Sequence, residues 1–198
     1  MRHMMRIWCL LAALLTAGSA VSFAQNNARL FQAGKLKALI LSGRNNHDWR
    51  VTTPFLRKLL VDSGRFDVRV TEEPTGMTTA TLAAYDVVVS DYCGPRWGET
   101  AEKALLDYVR SGKGFVAVHA ADYTFGPLPV LGDRFAPGGF TEPEWKEYGE
   151  MIGGTWAASP RTRHGRRHIF KVKFTNPDHP IARGMGEGFL ANDELYFD

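Results

Sequence analysis

The sequence predicts an α/β fold built on a mostly parallel sheet. Three observations carry this. Short apolar runs rich in β-branched residues recur at Leu36–Leu41 (LKALIL), Phe66–Thr71 (FDVRVT), Tyr85–Ser90 (YDVVVS) and Phe115–Val118. A segment of helical character stands between each run and the next. Each of the first, third and fourth runs also empties into a loop of polar and aromatic residues, as expected where parallel strands end in a binding crevice. The order β-α-β-α-β-α-β, with right-handed crossovers, gives a flavodoxin-like three-layer sandwich.

Each element follows from its residues. Leu36–Leu41 ends at Ser42-Gly43 and leads into Arg44-Asn-Asn-His-Asp-Trp-Arg50. Thr53 and Pro54 read as the N-cap and first position of a helix, with Phe55, Leu56, Leu59 and Leu60 as its apolar stripe and Gly64 as its stop. Met77–Ala84 is a short helix. Glu99–Arg110 is the strongest helix: Ala101, Ala104, Leu105, Tyr108 and Val109 share one face, acids come early, Arg110 comes late, and Gly112 ends it. The fourth run is opened by Gly112 and Gly114 and runs straight into His119, Ala120, Ala121 and Asp122. From Thr124 to Phe140 the prolines and glycines predict a loop or lid. Glu142–Ile152 reads as a helix with Pro143 at its start, Thr155–Gly165 as irregular and basic, and His168–Phe174 as an antiparallel or edge strand added to the parallel sheet.

Composition narrows function. At 44% hydrophobic and 23% charged residues, the chain has an ample core. Met1–Arg6 is a basic n-region, Ile7–Ala17 an apolar h-region, and Ser22 and Ala24 sit at the −3 and −1 positions of a cleavage site. Residues 1–24 are therefore expected to be a signal peptide, 25–35 a loose entry segment, and 36–198 one domain. The expected location is periplasmic or secreted, without a stable membrane anchor. The formal charge is +3, and loss of Arg2 and Arg6 with the leader leaves +1. Nucleic-acid binding thus has no electrostatic support. Of the two cysteines, Cys9 lies in the leader, so Cys93 has no intramolecular partner.

The three rim loops contribute His47, Asp48 and Trp49, then Tyr92, Cys93 and Trp97, then His119 and Asp122. Two imidazoles can exchange protons near neutral pH. Trp49 and Trp97 are expected to wall the crevice as a ring platform for a sugar, against the plainer reading of loop anchors. No phosphate-cradle motif follows a strand. His47, His119, His164, His168, His179, Asp193 and Glu194 include ligand types for a divalent metal, but no H-E-x-x-H or paired cysteines organise them. The expectation is no cofactor, with a catalytic divalent ion as the lesser alternative. Cys93 precedes Gly94-Pro95 and opens no helix, so it reads as a buried inert thiol; a thiol amidase is the weaker alternative.

Taken together, LKALILSGRNNHDW, YDVVVSDYCGPRW, GKGFVAVHAAD, EWKEYGEMIGGTW, NPDHPIARGM and NDELY resemble the trehalose-utilisation (ThuA-like) family over residue 36 to the end. The resemblance implies a fold like class I glutamine amidotransferases and a role in carbohydrate catabolism, on disaccharides or their keto forms. Where those amidotransferases carry a nucleophilic cysteine in a tight elbow, this chain has His119 between Val118 and Ala120, so glutamine hydrolysis is not expected. Family-typical positions matched here are His47, Trp49, His119, Trp145, Tyr148, His179, Asp193 and Glu194. Two departures stand out. Ala157-Ala158-Ser159-Pro160 replaces a segment that often holds a histidine, and the family domain usually continues past Asp-Glu-x-Tyr, so this chain is expected to be part of a longer protein. The resulting expectation is acid–base chemistry by His119 and His47: elimination, isomerisation or hydrolysis of a small carbohydrate. Trp49, Trp97, Asp122, Trp145, Tyr148, His179, Asp193 and Glu194 would bind the substrate. A non-catalytic sugar-binding module is the alternative, and a homo-oligomer is compatible with either.

Overall fold

The computed structural model describes residues 30–125, 144–155 and 163–197. The chain divides into two compact units, Met1–Thr155 and Trp156–Asp198. In the first, β1 (Leu36–Leu41), β2 (Phe66–Thr71), β3 (Val87–Ser90) and β4 (Gly114–Ala117) form one parallel sheet in the order β2-β1-β3-β4. Register is continuous across it: Ala38 pairs with Val68 on one side and Val87 on the other, and Val87 pairs in turn with Gly114. The predicted α/β, flavodoxin-like architecture is present.

Alternation along the strands creates the three layers. Ala38, Ile40, Val68 and Val89 point to one face and pack against Leu56 and Leu60 of α1 (Trp49–Asp62). Leu39, Leu41 and Val88 point to the other, against Leu82 of α2 (Thr79–Leu82), Ala101, Ala104, Leu105 and Tyr108 of α3 (Glu99–Arg110), and Tyr148 of α4 (Lys146–Ile152). Each central strand is therefore apolar on both faces, which is why its sequence is a continuous run.

Several boundaries move for identifiable reasons. The helix expected to begin at Thr53 begins at Trp49, because Val51 and Thr52 N–H already donate to Asp48 carbonyl at 2.9 and 3.0 Å. Pro54 consequently lies inside the helix, and the Thr53 hydroxyl bonds to the sheet rim instead of capping. At β3, Asp86 N–H donates to Lys37 carbonyl at 2.8 Å while the Asp86 carboxylate accepts Lys37 N–H at 2.9 Å, and the strand proper starts at Val87. The Thr78 and Thr81 side chains form a reciprocal capping box around α2. α3 has the predicted bounds. Pro143 and most of the expected 124–140 loop lie outside the described residues, as do the leader and Ala157–Pro160.

In the second unit, β6 (His168–Lys173) pairs antiparallel with β7 (Gly188–Asp193), and β5 (Arg163–His164) with β8 (Tyr196–Phe197). The antiparallel character expected of 168–174 is present. The expectation that it extends the parallel sheet is corrected: its partner is β7, in a separate two-stranded sheet. Part of the stretch read as irregular is also a short strand, β5. Among the described residues, no helix is long and apolar enough to cross a membrane.

Candidate active site at the carboxyl rim

Strand order locates the site. The chain runs from β1 outward to β2, then crosses back over β1 to β3, so the winding direction reverses between β1 and β3. A crevice opens at such a switch point, beyond the carboxyl ends of the strands. The loop after β1 enters it. Ser42 N–H continues the ladder to Thr71 carbonyl at 2.9 Å, and Gly43 then turns with φ +98°. A Cβ there would lie 2.1 Å from the Glu72 carbonyl oxygen, so only glycine fits. The turn delivers Asn45, a fully buried side chain, to the end of β3. Its amide Nδ2 donates to Asp91 carbonyl at 2.9 Å, and its Oδ1 accepts the His47 backbone N–H at 2.9 Å. His47 is thereby fixed across the crevice while its imidazole stays exposed.

The second imidazole arrives from β4. Val118 N–H donates to Ser90 carbonyl at 3.0 Å, holding the chain on the sheet one residue past the strand. His119 then opens a 3₁₀ turn ending at Asp122, with φ +47°. This left-handed conformation costs energy for a residue with a Cβ, although histidine adopts it more readily than most, and it turns the ring back toward the β1 loop. His119 Nε2 lies 3.3 Å from His47 Nε2, and the ring centroids are 4.6 Å apart at 65°. A hydrogen bond between two such nitrogens needs one proton between them. His47 Nδ1 lies 3.0 Å from Asn46 Oδ1, an acceptor, which assigns the neutral His47 proton to Nδ1. His47 Nε2 is then the acceptor and His119 Nε2–H the donor.

Two carboxylates flank the pair. Asp91, at the end of β3, is buried; its Oδ2 accepts from Thr53 Oγ1 at 2.7 Å and Thr52 Oγ1 at 2.8 Å. Ser42 Oγ lies 2.6 Å from Thr53 Oγ1, so with Thr53 donating to Asp91, Ser42 donates to Thr53. Burial pushes the Asp91 carboxyl up. The hydroxyl bonds and the attraction of both His47 and His119 pull it down without cancelling the rise. Asp122 is likewise raised by burial, against the opposing pull of His119. Asp91, Asn45, Thr52 and Thr53 were not singled out from sequence. A signal existed for Asp91, since an acid immediately after VVVS must lie at the rim. None existed for the threonines, whose placement depends on where α1 begins.

The aromatic assignments change. Trp97, expected to present a face to the crevice, is 4% exposed and enclosed by Tyr92, Phe125 and Trp145 at centroid distances of 5.4, 4.7 and 6.0 Å. Trp145 and Tyr148 belong to the same core, with Tyr148 Oη donating to Ala121 carbonyl at 2.8 Å. Trp49 is buried as well, with the Arg50 guanidinium 4.2 Å over its ring. For Trp97 the ring platform is therefore corrected to aromatic packing beneath the rim, since so large and apolar a side chain is not left in water when a core is within reach. Trp49 stands outside that cluster and lines a cleft with Arg50, Thr53 and Arg57. Cys93 is buried, its N–H donating to Arg44 carbonyl at 3.0 Å.

His179, Asp193 and Glu194 lie in the second unit. His179 Nδ1 accepts from Ile181 N–H at 3.3 Å, Asp193 Oδ1 from Glu194 N–H at 2.9 Å, and Glu194 Oε2 lies 3.4 Å from His164 Nδ1. Among the described residues, no three His, Cys, Asp or Glu side chains are grouped as metal ligands.

A three-layer α/β protein with paired imidazoles at its switch point is the class that fold and site define. The chain belongs to the ThuA family, described as trehalose utilisation, whose model matches residues 37–197. It is similar to a ThuA-like protein from Parabacteroides merdae, at 28% identity and TM-score 0.62 over 82% of this chain and 62% of that one. A ThuA-like protein from Bacteroides uniformis shares the fold at 19% identity and TM-score 0.60, over 84% of this chain and 62% of that one. The chain thus spans less than two thirds of either relative's length. No curated protein matches it.

Proposed function

We propose that this ThuA-family protein is exported and processes a small carbohydrate, a disaccharide or its keto form, by acid–base chemistry at the His47–His119 pair. The 3.3 Å Nε2–Nε2 approach at the switch point is the observation that carries this reading. Proton abstraction beside a keto group, leading to elimination or isomerisation, suits an imidazole pair. One ring accepts the proton from carbon while the other donates to the departing or enolic oxygen. From the assigned tautomers, neutral His47 offers the basic nitrogen and His119 the proton. Ordinary glycoside hydrolysis needs two carboxyl groups presented to the sugar. Asp91 does not qualify, because its Oδ2 is occupied by two hydroxyls and the residue is buried. Export rests on the leader at Met1–Ala24.

The test is product analysis by mass spectrometry on a panel of disaccharides and their keto derivatives, with the parent protein, His119→Ala and His47→Ala. Turnover is expected in the parent and a loss of about 10² to 10⁴ in kcat in either variant. Full turnover by His119→Ala would refute the assignment. Ligand binding without turnover, retained in both variants, would make the protein a sugar-binding module.

A further inference from the structure

A second concavity stands next to the histidine crevice along the chain. Trp49 N–H donates to His47 carbonyl at 2.8 Å, so the β1 loop passes from the histidine directly into α1. Between that helix and β2, the edge strand of the sheet, lies a cleft of about 560 Å³ lined by Arg50 and Arg57. The two arginines share one side of α1 two turns apart, about 10 Å along its axis. The Arg50 guanidinium rests over the ring of the buried Trp49, so the indole beds the cation and leaves its N–H edge to a ligand. Arg57 is exposed. Among the described residues neither arginine is ion-paired, whereas Arg69 and Arg96 have Asp67 and Glu102. We propose that this cleft binds the carboxylate of a sugar acid, a uronic or aldonic acid, and so makes the substrate class an acidic carbohydrate. The assignment as substrate rests on the carbohydrate reading of the histidine pair.

The lining selects this ligand over its neighbours in chemistry. A guanidinium keeps its charge at any working pH and presents a planar fork of donors that matches a carboxylate two bonds at a time. Glu72 also lines the cleft, so two arginines against one glutamate leave a single positive charge. That suits a monoanionic carboxylate better than a phosphate ester, which carries close to two negative charges at neutral pH. The Glu72 carboxylate can only accept hydrogen bonds, and a sugar's hydroxyls are the donors it needs. Pro54 and Val70 add apolar surface for the C–H groups of the ring. Thr53 lines the cleft too, but its hydroxyl is committed to Asp91 and Ser42, so it ties the cleft to the rim and does not serve the ligand. A neutral sugar would use the hydroxyl acceptor and the apolar wall and leave both arginines unanswered.

The experiment is isothermal titration of the full-length protein with glucuronate, galacturonate and gluconate, beside glucose and glucose 6-phosphate. At least one of the acids should bind about tenfold or more tightly than glucose. Arg57→Gln, at an exposed position, should weaken that acid by about tenfold or more and leave any glucose binding unchanged. The parent alone supplies a second reading, since affinity for the acid should fall as salt is raised and affinity for glucose should not. Acids that bind no better than glucose, or an Arg57→Gln protein that binds them as the parent does, would overturn the proposal. Tighter binding of glucose 6-phosphate than of every acid would overturn it as well, by making the cleft a phosphate site. Binding needs no turnover, so the two readings fail separately. An acid held through Arg57 with no substrate turned over would keep the cleft and defeat the acid–base chemistry. Turnover of a neutral sugar that requires His119, with no acid bound, would keep that chemistry and defeat the acidic substrate.

Discussion

At the rim of the first unit, His47 and His119 meet across 72 residues of sequence and Asn45 reaches Asp91 across 46. In the second unit, His179 bonds to Ile181 two positions on and Asp193 to Glu194 one position on, and the one contact of these residues that reaches farther, Glu194 to His164, is between exposed side chains. The rim groups behind the histidines are also buried, whereas His179, Asp193 and their partners are mostly exposed. The difference separates a constellation from a turn. Polar side chains that meet over long separations in a buried place must be held by the whole fold. Those that satisfy a neighbouring amide would do so in almost any loop of that sequence. If this is right, perturbing the rim disturbs stability and chemistry together, and perturbing the second unit's acids does little to either.

The largest effect is expected at Gly43. Alanine there must place a methyl carbon where the Glu72 carbonyl oxygen stands, at φ +98°, so the β1 loop has to move. Gly43→Ala should cost about 3 kcal/mol in urea unfolding, and the ring ¹⁵N signals should report a separated His47–His119 pair. A loss below about 1 kcal/mol would mean the rim is less rigidly set than the comparison claims.

Glu102 comes next. It is buried at the start of α3 and pairs with Arg96, accepting its Nε–H at 2.7 Å and the backbone N–H groups of Trp97 and Gly98 at 3.1 and 3.2 Å. Burial raises its carboxyl, but the Arg96 ion pair and the two amides outweigh that, leaving it below the usual glutamate range. A depressed folded value means the stabilisation is complete above the unfolded value. It is then lost as pH falls through the folded one. Glu102→Gln should cost about 2 kcal/mol at neutral pH, less than a fully enclosed pair because Arg96 still meets solvent. The difference from the parent should shrink as the pH is taken below about 4. A pH-independent difference would remove the ion pair from the account.

The sheet and the histidines were legible in the sequence because both depend on short-range patterns. Runs such as VVVS and GFVAV mark strands, the first largely buried and the second, at the sheet edge, only partly so, and a strand's end is where its next polar residue must emerge. The Trp97 and Trp145 positions were visible but their use was not, since an aromatic residue suits a sugar and a core equally well until its neighbours are known. The Asn45–Asp91–Thr53 network was illegible for a different reason. It depends on α1 starting at Trp49 and on the register of β1 beside β3, facts that no local pattern carries.

Two tyrosines sharpen the argument inside the first unit. Tyr148 Oη donates to Ala121 carbonyl, just behind the His119 turn, whereas Tyr108 Oη is buried with no hydrogen-bond partner among the described residues. Burial pushes the Tyr108 phenol up to about 12. Tyr148→Phe should cost about 1 kcal/mol by stranding a buried carbonyl, and Tyr108→Phe should be neutral or slightly stabilising. Equal losses at the two sites would show that ring packing, and not the bond behind the rim, sets the cost.

The smallest effect belongs to the second unit. Glu194 and His164 lie 3.4 Å apart with both side chains well exposed, and the pair is charged on both sides only while His164 is protonated. Water screens such an attraction, and two side chains must be ordered to gain it. Glu194→Gln is therefore expected to change stability by less than about 0.5 kcal/mol. Hydrogen exchange in β5 and β8, followed in the parent and the variant, isolates the effect from the first unit. A loss near that of Glu102→Gln would give Glu194 a partner that its own neighbourhood does not supply, and the distinction between a long-range constellation and a self-satisfied turn would no longer separate these two regions.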